Sequence, residues 1–202
     1  NSRERQMSLL CISGFSGKSR GKKGGYHMSK GIIIYRSKYG AAKKYAGWMM
    51  EKTGFDLAEM KMADPGEVGQ YDVILLFGGI YASGISGLSF LKKHINQWKD
   101  KKIAVFCVGA SPWDETAFQA VKKHNMKGSL EKIPVFYGRG AWDQKAMTFV
   151  DRTLCNMLQK SVAKKDPSQW EPWMEALMCA RGKSCDWTDP AYLTPLLEYL
   201  EA

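Results

Sequence analysis

The sequence predicts an α/β domain: a doubly wound, parallel, five-stranded sheet with helices on both faces. Two observations predict it. Four short β-branched or aromatic runs, residues 32–35, 73–77, 103–108 and 133–137, have the length and composition of strands buried on both faces. Helical patterns separate them, and strands that alternate with helices assemble into a parallel sheet.

The first run, Ile32-Ile33-Ile34-Tyr35, ends at Arg36-Ser37-Lys38-Tyr39-Gly40. From Ala41 the period changes to 3.6, with Ala42, Tyr45, Ala46 and Met49 on one face. Thr53-Gly54 closes this helix, and residues 55–62 alternate loosely as a second, short strand. Asp64-Pro65-Gly66 is a loop. The run 73–77 ends at Gly78-Gly79, and residues 88–98 give a helix with Leu91, Ile95 and Trp98 on one face. The run 103–108 ends in Gly109-Ala110-Ser111-Pro112-Trp113. Asp114 is placed to cap the next helix, which runs to about Asn125 with Gly128 near its stop. The run 133–137 ends at Gly138-Arg139-Gly140. Residues 146–162 predict an amphipathic helix through Met147, Val150, Leu154, Met157 and Leu158. Residues 164–186 are irregular or partly helical. Trp187-Thr188-Asp189-Pro190 then starts a last helix with Leu193, Leu196, Leu197 and Leu200 buried. A doubly wound domain needs one helix after its last strand, so residues 143–186 read as a helical insertion before that last helix.

Composition bounds the function. The 202 residues suit one domain, and the net charge of +10 is uneven. Residues 1–27 hold Arg3, Arg5, Lys18, Arg20, Lys22 and Lys23 against Glu4 alone. This Gly-, Ser- and Lys-rich segment predicts no packed element, and Met28 reads as a natural start. Residues 1–27 are expected to be a disordered basic tail or a remnant outside the fold, leaving 28–202 as the domain. The basic body favours anionic ligands, an anionic membrane surface or acidic partners. No basic helix carries base-reading residues, so no nucleic acid is expected. The five cysteines form no CxxC, and the three histidines are isolated, so no metal site is expected. Cys107 fits a core position, and reduced cytoplasmic thiols are the default. The longest charge-free run, residues 73–90, holds four glycines and three serines, which suits a strand and loop rather than a membrane span.

In a sheet of this kind ligands bind beyond the carboxyl ends of the strands. Loops 36–42, 78–87, 109–113 and 138–142 are expected to converge there. The first is the most informative. A helix beginning at Gly40 aims unpaired N–H groups and a positive dipole end at one spot, which suits a phosphate. Ser37 adds a hydroxyl, and Gly40 permits close backbone approach. A plain strand-to-helix turn that binds nothing is the other reading. The loop is neither GxGxxG nor GxxxxGK[ST], so a dinucleotide or P-loop nucleotide is not indicated.

Over residues 30–142 and 187–202 the chain resembles the flavodoxin-like FMN-binding family. Its members open with a strand and a phosphate loop of the form [ST]-x-T-G-x-T. The matching segment here is Ser37-Lys38-Tyr39-Gly40-Ala41-Ala42, with Tyr39 and Ala42 in place of the two threonines. The resemblance implies FMN as cofactor. It implies that Gly79, Ile80, Tyr81, Ala82, Ser83 and Gly84 flank the isoalloxazine, with Tyr81 either a stacking partner or a surface-loop tyrosine. It also implies that Gly109, Ala110, Ser111, Pro112 and Trp113 hold the other flavin edge, Trp113 stacking or forming a lid. A narrower similarity is to the menaquinone-dependent protoporphyrinogen oxidase group, carried by Cys185-Asp186-Trp187-Thr188 and by Phe90-Leu91-Lys92-Lys93-His94.

The resemblance implies an FMN-dependent oxidoreductase whose redox donor or acceptor is a quinone, NAD(P)H or a redox protein. In the narrower form the substrate is protoporphyrinogen and the acceptor a quinone, with Arg139, Lys145 and Arg152 attracting propionates. Trp170 and Trp173 would then either touch a membrane surface peripherally or pack onto the core. A flavodoxin-type electron carrier without its own substrate is the alternative, and the basic body argues against it. A third reading is a flavodoxin-fold module that has lost FMN. No acid–base dyad or nucleophile triad stands in the loops, so no catalytic side chain is assigned.

Overall fold

The computed structural model describes residues 29–202; the basic segment 1–27 lies outside the described residues. In chain order the first three strands and their helices are β1 (Gly31–Arg36), α1 (Ala41–Thr53), β2 (Asp56–Glu59), α2 (Pro65–Val68) and β3 (Val73–Tyr81). Then come β4 (Gly84–Ile85), α3 (Leu88–His94), β5 (Lys102–Gly109), α4 (Glu115–Asn125) and β6 (Val135–Arg139). The chain continues through β7 (Ala141–Asp143), α5 (Phe149–Val162), α6 (Pro172–Cys179), β8 (Ser184–Asp186) and α7 (Thr194–Glu201). The central sheet has the order β2-β1-β3-β5-β6, all parallel, with β4 antiparallel on β3.

Alternate residues of the buried runs face opposite layers, as the pleat requires. Ile33, Leu75, Phe77, Ala104 and Phe106 meet Tyr45, Ala46 and Met49 of α1 together with Leu193 and Leu196 at the chain's end. Ile32, Ile34, Ile74, Leu76, Val105 and Cys107 meet Leu88 and Leu91 of α3, Trp98 and Leu130. These two layers are the core, and neither takes a buried residue from 141–186.

Several boundaries differ from the sequence reading, for local reasons; the last helix, expected to start at 187–190, opens as a 3₁₀ turn, Pro190–Leu193, before α7. The strand expected over 55–62 is only β2, because β1 supplies no partner beyond the pair Tyr35–Glu59; Met60–Met62 turns into a 3₁₀ segment instead. The strand expected from 133 begins at Val135, because Pro134 has no N–H to donate to a ladder. The helix expected over 88–98 stops at His94 and finishes as a 3₁₀ turn, Ile95–Gln97. The strand expected to end at Gly78-Gly79 continues to Tyr81, because β4 folds back and pairs with Ile80 and Tyr81. Gly78 is needed there: a Cβ would lie 2.1 Å from the Ser86 carbonyl oxygen.

The chain leaves the sheet through β7 and returns through β8, which pair antiparallel. Between them α5 and α6 pack on each other around Val162, Met174 and Leu177, with Trp142, Trp170 and Trp173 against them. Trp170 and Trp173 therefore pack within this segment, not onto the main core. The helix expected from residue 146 starts at Phe149, capped by the Thr148 hydroxyl. Its apolar stripe is not buried. Val150, Leu154 and Met157 are each about 60% exposed.

Candidate functional site

The carboxyl ends of β1, β3 and β5 open into a cleft of about 380 Å³, roofed by α5. This is within the range of small-molecule sites. Of the predicted residues, Ser37, Tyr39, Ala41, Ala42, Gly79, Ile80, Tyr81, Ala82, Gly109 and Ala110 line it. A second cavity of about 320 Å³ adjoins it and shares Ile80, Ala82, Gly109, Ala110, Trp142 and Leu158. Ser111, Pro112 and Trp113 line this second space. Lys38, Gly40, Ser83 and Gly84 line neither. Ser83 and Gly84 instead build the hairpin turn, where the Ser83 carbonyl accepts from Asn125 Nδ2 (2.6 Å).

The loop between β1 and α1 turns at Gly40. Gly40 has φ +94°, a region that disfavours other residues, and no atom stands within 4 Å of where a Cβ would lie. The helix ladder begins with Lys44 N–H donating to Gly40 O (2.9 Å). The first turn carries no acidic side chain, and no side chain caps it. Its leading amides thus remain for an anion. The Gly40 N–H is not among them, because it donates to Ser37 Oγ (3.0 Å). The Ser37 hydroxyl keeps its own proton to donate.

Lys38 Nζ and Tyr39 Oη both donate to Asp151 Oδ2 of α5. The hydrogen bond from Lys38 holds the Asp151 carboxyl below the usual range, and the same bond raises Lys38. The Tyr81 ring meets Tyr39 edge-on, with centroids 6.1 Å apart, and burial raises its phenol.

The third loop is pinned from below. Tyr137 Oη donates to Ser111 O (2.6 Å), and Arg139 Nε donates to Ala110 O (3.3 Å). Trp113 leans on Phe118 (4.9 Å) and Tyr137 (5.7 Å). With Trp142, Trp173 and Trp187 these side chains make the second cavity an aromatic box. The Arg139 guanidinium lies 4.2 Å from the Trp187 ring centroid. Gly140 N–H donates to Gly109 O (2.7 Å), so loop 138–142 closes against the third loop, as expected.

Loop 138–142, expected at this edge, brings Gly140, Ala141 and Trp142 into the cleft. Sequence reasoning missed what α5 and the turn before it contribute: Met147, Asp151, Leu154, Cys155 and Leu158, whose only signal was the helical apolar period of 146–162. The three cations grouped in the sequence reading are split. Arg139 sits on Trp187, whereas Lys145 and Arg152 line a separate hollow of about 260 Å³. Among the described residues no group of three or more His, Cys, Asp or Glu gathers to hold a metal, and no helix is long and apolar enough to cross a membrane.

A family model for the flavodoxin domain matches residues 32–169. The chain belongs to the flavodoxin-domain family. The match runs through α5, into residues 143–186 that the sequence resemblance over 30–142 and 187–202 leaves out. FMN is the cofactor of this family. The donor set fits it: an open helix N-terminus, Ser37, a lysine beside the loop and an apolar cleft beyond it. Among solved structures, the chain is similar to a WrbA-like flavodoxin from Agrobacterium tumefaciens at 16% identity, TM-score 0.41, covering 76% of this chain and 98% of that one. It is also similar to a flavoprotein in complex with FMN from Lactobacillus acidophilus, at 15% identity, TM-score 0.36, covering 55% of this chain and 92% of that one. A two-electron reduced flavodoxin from Megasphaera elsdenii matches at 18% identity, TM-score 0.35, covering 53% of this chain and 82% of that one. The search of curated proteins gave no match.

Proposed function

We propose that this flavodoxin-domain protein is an FMN-dependent oxidoreductase that exchanges electrons with a flat, largely apolar partner molecule. One observation carries the reading: the cofactor cleft adjoins an aromatic box with which it shares Ile80, Ala82, Gly109, Ala110, Trp142 and Leu158. A pure electron carrier needs an exposed flavin edge and no second cavity.

The roles follow from position. Backbone amides at the start of α1, with the side chains of Ser37, Lys38 and Tyr39, would hold the FMN phosphate. Gly79 to Ala82 and Gly109-Ala110 would border the ring system, with Tyr81 and Trp142 as its aromatic neighbours. Bound FMN supplies the redox chemistry, so no side chain need act as nucleophile. Trp113, Phe118, Tyr137, Trp142, Trp173 and Trp187 would receive an aromatic ring system and exclude water around it. A quinone is the first class to test.

Oxidation of a porphyrinogen with a quinone acceptor is the narrower reading, supported by Cys185-Asp186-Trp187-Thr188, whose Trp187 lines the box. The split of Arg139 from Lys145 and Arg152 weighs against a single propionate clamp. Steady-state turnover of NAD(P)H or protoporphyrinogen with a quinone, by the FMN-loaded protein alone, tests the enzyme reading. Turnover that requires an added redox protein would assign the carrier role instead.

A further inference from the structure

The flavodoxin-domain phosphate loop of this chain already faces an anion of its own. Asp151 stands in the first turn of α5, and its Oδ2 accepts from Lys38 Nζ and from Tyr39 Oη. Thr148 N–H donates back to the same Tyr39 hydroxyl (3.3 Å), and Thr148 Oγ1 accepts from Asp151 N–H (3.3 Å). So the start of α5 is tied to the loop by a small polar knot. Asp151 also lines the cofactor cleft. Lys38 and Tyr39 are 113 and 112 residues from Asp151 in sequence, so the contact is made by the tertiary fold alone.

Elsewhere α5 is held by packing at its far end and by bonds to the segment that leads into it, where Arg152 donates to Lys145 O (2.7 Å) and Met147 O (3.0 Å). Val162 packs against Met174 and Leu177, and Gln159 Nε2 donates to Leu177 O (3.3 Å). Near the loop, Phe149, Val150 and Leu154 are exposed rather than packed. The knot is thus what ties that end to the loop between β1 and α1. Its ion pair is partly solvated, with 44% and 25% of the two side chains exposed, so the tether is weak enough to exchange.

We propose that Asp151 is the residue that sets this protein's discrimination between phosphorylated and unphosphorylated flavin: its carboxylate occupies Lys38 and Tyr39, and a flavin phosphate must displace it. Two anions cannot share one lysine without repulsion. Riboflavin carries no phosphate and meets no such competition. Arrival of FMN therefore loosens the start of α5, whereas riboflavin leaves it tied. This inference rests on the FMN reading above.

The test compares FMN and riboflavin binding by flavin-fluorescence quenching, for the wild type, Asp151→Asn and Asp151→Ala. Both variants are expected to bind FMN about five- to tenfold more tightly, the size of one exposed ion pair plus the relieved repulsion. Riboflavin affinity should stay within about twofold, a change too small to reflect a lost charge contact. Equal or weaker FMN binding in the variants would overturn the proposal, because Asp151 would then be orienting Lys38 for the phosphate. A matching gain for riboflavin would overturn it too. Hydrogen exchange on the wild type gives a readout that needs no variant: FMN, but not riboflavin, should speed exchange at residues 149–154, and unchanged exchange would contradict the mechanism. If the wild type binds riboflavin but the variants show no FMN gain, only the proposal fails. If no form binds either flavin, the FMN reading fails with it.

Discussion

Tyr45→Phe removes one hydroxyl from the junction that shapes the cleft. The ring of Tyr45 is fully buried between Trp48 and Phe106, with centroids 5.3 and 5.0 Å away, so phenylalanine keeps the packing. The hydroxyl donates to Arg139 O (2.6 Å) and accepts from Asp189 N–H (3.1 Å). It thereby joins α1, the end of β6 and the turn into the last helix. Each net hydrogen bond is worth about 0.5–1.5 kcal/mol, and an orphaned partner adds to the cost, so the expected loss is about 2 kcal/mol. For a domain of this size that lowers Tm by roughly 4–8 °C. Burial pushes this phenol up to about 12, so it stays protonated and the loss should be the same from pH 6 to 9. Differential scanning calorimetry with urea denaturation checks it. A Tm within about 1 °C of wild type, where roughly 6 °C is expected, would refute the reasoning, since it would mean that the hydroxyl carries no net bond.

Three further outcomes follow from the same geometry. Gly40→Val places a β-branched residue at φ +94°, a strain of about 1–3 kcal/mol, and should abolish FMN binding while circular dichroism stays near wild type; retained flavin would remove the loop from the site. Asp143 and Ser184 pair directly across β7 and β8, so replacing residues 144–183 with an Asn-Gly turn should close a hairpin and leave the core folded. An insoluble product would instead make the α5–α6 segment part of the core. Asp186 is held down to about 2, chiefly by its hydrogen bond from Lys44 and then by Thr188. Its pKa is depressed by folding, so its contribution is present above the unfolded carboxylate range and is lost as pH falls towards 2. Asp186→Asn should therefore be slightly less stable than wild type at pH 7, with the gap closing between about pH 4 and 2; a gap that persists at pH 2 would contradict the pairing.

How much was legible in the sequence depended on how local each signal was. The buried strands were legible because a parallel sheet covered on both faces demands unbroken runs such as Ile32-Ile33-Ile34 and Ile74-Leu75-Leu76. The end of β3 was misread because Gly78-Gly79 looks like a stop. Their role is to let Ser86 and the β4 hairpin approach, which is a fact of neighbours and not of local propensity. The stripe on α5 had a clear period, but a period names a face without saying what covers it. Asp151 gave no signal at all, since a carboxylate in a helix's first turn is ordinary and its partners Lys38 and Tyr39 lie more than a hundred residues away. The loops after β1, β3 and β5 were found because chain order and strand topology place them together whatever their exact residues.

The central claim is that the cleft above β1, β3 and β5 holds FMN. The measurement that tests it most directly is the absorption spectrum of the purified protein, followed by titration of FMN fluorescence. Flavin bands in the protein as isolated, or saturable quenching at one FMN per chain that Gly40→Val eliminates, is the predicted result. A colourless protein that leaves FMN fluorescence unchanged at high FMN concentration would contradict it, and the cleft would then have to be explained by another ligand.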